Sequence, residues 1–131
     1  MDSCRFVRFV VFSFVFRPAT TLFQSMITII ESPIFTRLWP DYWCEDERGE
    51  FSAWLAENPD AGDVVPGSGG IRKVRWSRKD QGKRGGVRVI YFTVPTKGLI
   101  WLLTIYAKSD QENIPAHILK VLKEELVDGY E

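Results

Sequence analysis

Val87-Arg88-Val89-Ile90-Tyr91-Phe92-Thr93-Val94, then Pro95-Thr96-Lys97-Gly98, then Leu99-Ile100-Trp101-Leu102-Leu103-Thr104-Ile105-Tyr106-Ala107 is the stretch that decides the fold of this chain. Two runs of β-branched and aromatic residues, separated by a proline-to-glycine turn, read as a β-hairpin. The second run is apolar almost throughout, which predicts a central strand buried on both faces. Upstream, Ile71–Trp76 reads as a shorter strand. It is separated from the hairpin by Ser77–Gly86, a loop made almost wholly of Lys, Arg, Gly and Gln.

Working outward, Met26–Glu31 alternates as a first strand, and Ser32-Pro33 supplies an N-cap followed by proline at the first helical position. The short helix that follows should end near Trp39-Pro40. A second helix is predicted over Glu45–Glu57, where Phe51, Trp54 and Leu55 share one face, and Asn58-Pro59 stops it. Ala61–Gly70, with Pro66, Gly67, Gly69 and Gly70, is turn-rich. No Gly-Lys-Ser/Thr follows, so these glycines are backbone punctuation and not a phosphate loop. Ile114-Pro115 opens a last helix whose buried stripe is Ile118, Leu119, Leu122 and Leu126. The expected fold is α+β, in the order β-α-α-β-β-β-α: a twisted, mostly antiparallel sheet with its helices on one side.

A chain of 131 residues makes one domain, and nine Phe, five Trp and four Tyr supply its core. Tyr91, Trp76 and Trp101 are read as core residues. Residues 1–25 differ from the rest. Phe6–Phe16 is apolar except for Arg8 and Ser13, and it falls short of the roughly 20 residues that span a bilayer. A signal peptide fits the length and the leading Arg5, but Arg8 interrupts the apolar stretch and no small-x-small cleavage site precedes Met26. Residues 1–25 are therefore expected to be an extension left by a start placed too far upstream, with the domain proper at 26–131 and a cytoplasmic location.

The formal net charge is zero, but its distribution is uneven. Between Ile71 and Lys108 there are ten Lys or Arg and one acid, Asp80, whereas residues 31–63 hold nine acids against Arg37 and Arg48. One basic face on an acidic body suits polyphosphate, the alternative being a face that is merely solvated. Strand alternation assigns Val74 and Trp76 to the core, so Lys73 and Arg75 project together from the opposite face, and Arg88 joins them if the register holds. Arg72, Arg78, Lys79, Lys83, Arg84 and Lys108 surround the three. Cations this crowded repel one another unless a phosphodiester lies between them.

Cys4 and Cys44 lie outside any Cys-x-x-Cys or Cys/His spacing, and His117 is the only histidine. No disulfide, metal or cofactor is expected, and His117 reads as a surface or helix-packing residue.

Three segments in this order, Gly69-Gly70-Ile71-Arg72-Lys73-Val74-Arg75-Trp76, Gly82-Lys83-Arg84-Gly85-Gly86-Val87-Arg88-Val89-Ile90-Tyr91-Phe92 and Leu103-Thr104-Ile105-Tyr106-Ala107-Lys108, closely resemble the RelE/ParE superfamily of toxins, most nearly its HigB-like branch. The resemblance runs from about Met26 to Leu126. It implies a type II toxin: an endoribonuclease that cuts mRNA on the ribosome, arrests translation, and is silenced by a HigA-like antitoxin, with no membrane partner.

It also implies that Lys73 and Arg75 match the paired basic residues of the second family strand and Arg88 the arginine of the third; Arg72, Arg78, Lys79, Lys83, Arg84 and Lys108, as parts of the basic surface, are expected to contact the RNA. In this chemistry the RNA 2′-OH attacks the adjacent phosphorus without a metal. Arg88 holds the non-bridging oxygens, and Lys73 or Arg75 neutralises the pentacovalent intermediate. The chain departs from the best-known RelE pattern in one respect. That pattern has an arginine just after the last strand and a tyrosine near the start of the final helix, whereas Ser109 and Pro115 hold those places here. Proton transfer therefore falls to Tyr106, Lys108 or His117, with the ribosome positioning the RNA. Two other readings stand beside this one, a ParE-like gyrase poison without nuclease activity and an inert nucleic-acid-binding module.

Overall fold

The computed structural model describes residues 10–16, 25–77, 86–107 and 113–130. Six strands and three helices follow in the order β1 (Val10–Phe16), β2 (Ser25–Glu31), α1 (Pro33–Leu38), α2 (Glu45–Glu57), β3 (Asp63–Val64), β4 (Arg72–Trp76), β5 (Val87–Val94), β6 (Leu99–Ala107) and α3 (Ala116–Tyr130). The strands form one sheet in the order β1-β2-β6-β5-β4-β3. Every pairing is antiparallel except β2 with β6, which is parallel from Thr28 opposite Leu99 to Glu31 opposite Leu102.

The hairpin has the expected bounds. Its turn is a 3₁₀ helix over Pro95–Lys97 that ends on Gly98 at φ 65°, a left-handed conformation suited to glycine. The register of β5 on β6 shifts between Ile90 and Tyr91, which lie opposite Thr104 and Leu102, so Leu103 is an extra, bulged residue. Ser32 accounts for its carbonyl. The hydroxyl of Ser32 donates to Leu103 O at 2.7 Å and accepts from Phe35 N at 3.0 Å, so one side chain caps α1 and satisfies the bulge.

The helices do not share one side of the sheet, contrary to the sequence-based expectation. Phe35, Trp39, Trp43, Phe51 and Leu55 from the α1–α2 region pack with Ile29, Val74, Val89, Tyr91, Leu102 and Ile105 on one face. On the other, Leu119 of α3, flanked by half-buried Leu122, Leu126 and Val127, packs on Ile30, Ile90, Phe92, Trp101, Leu103 and Tyr106. The cause is the central strand. All residues from Ile100 to Tyr106 are buried, and a strand apolar on both faces needs cover on both. Trp76, expected in the core, is half-buried, with its ring 5.2 Å from those of both Phe51 and Trp54.

Three further differences follow from tertiary pairing. Val10–Phe16 lies within the expected extension of residues 1–25, yet it pairs with β2 over seven residues, so part of that segment joins the sheet. Asp63–Val64 adds a short edge strand on β4, which the polar, turn-rich sequence did not suggest. Of the expected stripe of α3, Leu119, Leu122 and Leu126 pack on the sheet and Val127 joins them, whereas Ile118 is 43% exposed. No helix among the described residues is long and apolar enough to cross a membrane.

A buried ion pair joins β2 to α2. Arg48 donates from Nε to Glu31 Oε2 at 2.7 Å and from Nη2 to Oε1 at 2.8 Å, with the Glu31 side chain fully buried. The guanidinium also lies 4.3 Å from the Trp39 ring centroid.

Candidate functional site

β4 positions the basic residues as alternation requires. Val74 and Trp76 enter the α1–α2 core, so Lys73 and Arg75 rise from the face that also carries α3. The ladder then aligns the remaining groups. Arg75 is opposite Arg88, and Arg88 is opposite Tyr106, making one row across β4, β5 and β6. Neighbouring strands lie about 4.8 Å apart, and two residues along a strand span about 6.6 Å, so Lys73 sits one step up from the row. Leu119 and its neighbours on α3 cover the same face over Ile90, Phe92, Trp101 and Leu103, while Arg75 remains exposed.

Among the described residues neither Arg75 nor Arg88 has an acidic partner. Two like charges directly opposite in a sheet are destabilising, by a few tenths of a kcal/mol to about 1 kcal/mol. A bound anion would reverse the sign of that interaction, since two guanidiniums can each direct paired donors at a phosphate.

Lys73 donates from Nζ to Asn113 Oδ1 at 2.9 Å, which holds the ammonium against the lead-in to α3. Beside it lies a pocket of about 220 Å³ lined by Lys73, Tyr106 and Asn113 together with apolar Val65, Pro66, Ile90, Ile114 and Leu119. Tyr106 is 4% exposed, and its hydroxyl has no hydrogen-bond partner among the described residues. Burial pushes its pKa above the ordinary tyrosine value, opposed in part by the positive charge of Arg88. At neutral pH the group is therefore a neutral phenol, suited to giving a hydrogen bond or a proton and not to taking one.

Not every expected contact is brought here. Arg72 belongs to the opposite face, where it donates from Nη1 to Gly62 O at 2.6 Å and Asp60 O at 3.3 Å and pairs with the Asp60 carboxylate at 3.6 Å. Its role is to tie down the segment after α2, a task shared by Tyr91, whose hydroxyl donates to Pro59 O and accepts from Gly62 N. Arg72 is thus removed from the RNA-binding set, because alternation puts it on the face away from Lys73. His117 is exposed and two positions before buried Leu119, roughly 200° around the helix, so it points away from the sheet. It leaves the proton-transfer candidates. Arg78, Lys79, Lys83, Arg84 and Lys108 lie outside the described residues.

Asn113 is the site residue that sequence reading missed. It follows the last strand in a polar stretch with no periodicity, and its only signal is its place just before Ile114-Pro115. Among the described residues no three His, Cys, Asp or Glu side chains gather as a metal site requires. No family model matches the chain.

Proposed function

We propose that this chain is a RelE/ParE-type toxin of the HigB-like branch, an endoribonuclease that cuts mRNA on the ribosome. The observation that carries the reading is the row Arg75, Arg88 and Tyr106 with Lys73 beside it: three cations and a neutral phenol on one sheet face, without acidic partners among the described residues. A cationic row without acidic partners among the described residues suits a phosphodiester.

In the proposed reaction the 2′-oxygen bonds to the adjacent phosphorus as the bond to the 5′-oxygen breaks, leaving a 2′,3′-cyclic phosphate and a free 5′-hydroxyl. Arg88 and Arg75 hold the non-bridging oxygens. Lys73 offsets the charge that builds on the pentacovalent phosphorus, and the Tyr106 phenol gives its proton to the departing 5′-oxygen. The 2′-OH proton passes to solvent or to a group of the ribosome. The partners are ribosome-bound mRNA and a HigA-like antitoxin. The basic face gives the antitoxin a surface on which an acidic segment would bind with affinity that falls as salt rises.

The test uses the purified full chain with ribosomes programmed by a defined mRNA, mapping 5′-hydroxyl ends by primer extension. Cleavage is expected with the native chain. It should be lost when the scissile nucleotide is 2′-deoxy, and reduced by Arg88→Gln. Absence of any cut, with early loss of DNA synthesis after induction in cells, would refute the nuclease reading in favour of a gyrase poison.

A further inference from the structure

We propose that β1 is an interface strand through which two copies of this chain pair edge to edge, joining their sheets across a twofold axis. β1 ends the sheet on one side, and among the described residues no strand takes its outer edge. In an antiparallel edge strand about half of the backbone N–H and C=O groups point away from the neighbour, so β1 presents a row of unpaired donors and acceptors along its seven residues. The two ends of the sheet differ in kind. β3, at the far end, is two residues long and begins with Asp63, the short, charged form that discourages pairing. Val10-Val11-Phe12-Ser13-Phe14-Val15-Phe16 carries neither a charge nor a proline. An apolar edge of this length is the form that recruits another strand.

The symmetry of the strand identifies the recruit as a second copy. Outward from Ser13 each step meets an apolar residue on both sides, and the first two steps match in kind: Phe12 with Phe14, Val11 with Val15, then Val10 with Phe16. Two antiparallel copies centred on Ser13 therefore set Phe12 opposite the second copy's Phe14, Val11 opposite its Val15, and the two serines opposite each other. Aromatic and β-branched pairs of this kind are the cross-strand contacts that stabilise a sheet, and the twofold axis makes each occur twice. A slip by two residues, the smallest that keeps the faces aligned, would set Ser13 opposite a valine and shorten the ladder. The axis is perpendicular to the sheet, so both copies keep α3 on the same side. In each copy β2 and β1 stand between β6 and the axis, so the contact lies clear of Arg75, Arg88 and Tyr106.

The experiment uses the full chain with Cys4→Ser and Cys44→Ser. In analytical ultracentrifugation its mass should rise from that of one chain to that of two between about 1 and 300 µM, because a single strand pair buries less than a standard interface. Under mild oxidation Ser13→Cys should link two copies. Opposite residues of an antiparallel pair have Cα atoms about 4.5–5.5 Å apart, inside the range that a disulfide spans. Val11→Cys alone should link poorly, and it should link well when mixed with Val15→Cys. Ser13→Lys and Ser13→Glu each set two like charges opposite one another and should weaken the dimer about twofold to fivefold, while an equimolar mixture of the two should pair more tightly than either alone. Mixing cannot rescue a chain that has failed to fold, so that arm reads the contact itself. A chain still monomeric at the highest concentration overturns the proposal, as does a dimer that Ser13→Cys does not link and the charge mixture does not favour. Assembly that continues past two chains also overturns it, since a twofold contact closes.

Discussion

Replacing Arg88 by Gln separates what this residue does for function from what it does for folding, because the structure gives the two effects opposite signs. Arg88 faces Arg75 directly across the β4–β5 ladder, and no acid among the described residues compensates either one. Deleting one of two opposed like charges should stabilise the sheet by about 0.2–1 kcal/mol. At a few degrees per kcal/mol for a domain of this size, that raises Tm by about 1–4 °C. Gln retains most of the stem, so packing loss is small.

In the proposed reaction, Arg88 would contribute donors to the phosphoryl oxygens. By analogy with single oxyanion donors its loss should cost about 2.7–4 kcal/mol of barrier, a fall of about 10²–10³ in cleavage rate. Two assays on the same preparations decide the matter: calorimetric unfolding at low salt, and single-turnover cleavage of ribosome-bound mRNA. A stability gain accompanied by a large rate loss is the signature of a residue kept for an anion. A variant less stable than the native chain by more than about 1 kcal/mol would show that Arg88 is structural. Unchanged cleavage would show that the phosphate does not lie on this row.

Three other expectations concern the scaffold and its titration. Glu31→Ala removes the buried carboxylate and leaves the Arg48 guanidinium with the exposed Glu45 carboxylate at 3.4 Å, which should cost up to about 3–5 kcal/mol in urea unfolding, most of it recovered when Arg48→Met is added. Tyr91→Phe removes the hydroxyl that bridges Pro59 O and Gly62 N, and should cost about 1–3 kcal/mol with faster amide exchange confined to the segment after α2. Burial raises the folded pKa of Tyr106, with Arg88 opposing, so the folded chain holds this proton more tightly than the unfolded one. Stability from this group is therefore complete below about pH 10, the unfolded value, and is lost as pH rises through the higher folded value; Tyr106→Phe should flatten that alkaline limb in a pH series of unfolding midpoints.

The local elements were legible because each is written in short-range chemistry. Ser32-Pro33 caps a helix wherever it occurs, Pro95–Gly98 turns a chain whatever surrounds it, and strict alternation in Lys73-Val74-Arg75-Trp76 leaves two cations on one face once Val74 is buried. The same sequence also held, unused, the argument against a one-sided layer of helices: Leu99–Ala107 is apolar on both faces, and only α3 crossing to the second face could cover it.

What the tertiary structure alone decided is which distant residues meet. Val10–Phe16 became an edge strand because β2 offered it a free edge, and Asp63–Val64 gained strand geometry only by pairing with Lys73 and Arg72. The bulge at Leu103 and the bond from Asn113 to Lys73 leave no mark in either partner's local sequence. The sequence determined which groups the candidate site could use, through the faces that alternation assigns. The register of β5 between β4 and β6 put Arg75, Arg88 and Tyr106 in one row, since ladder pairing depends on the whole sheet's packing and no local residue preference encodes it.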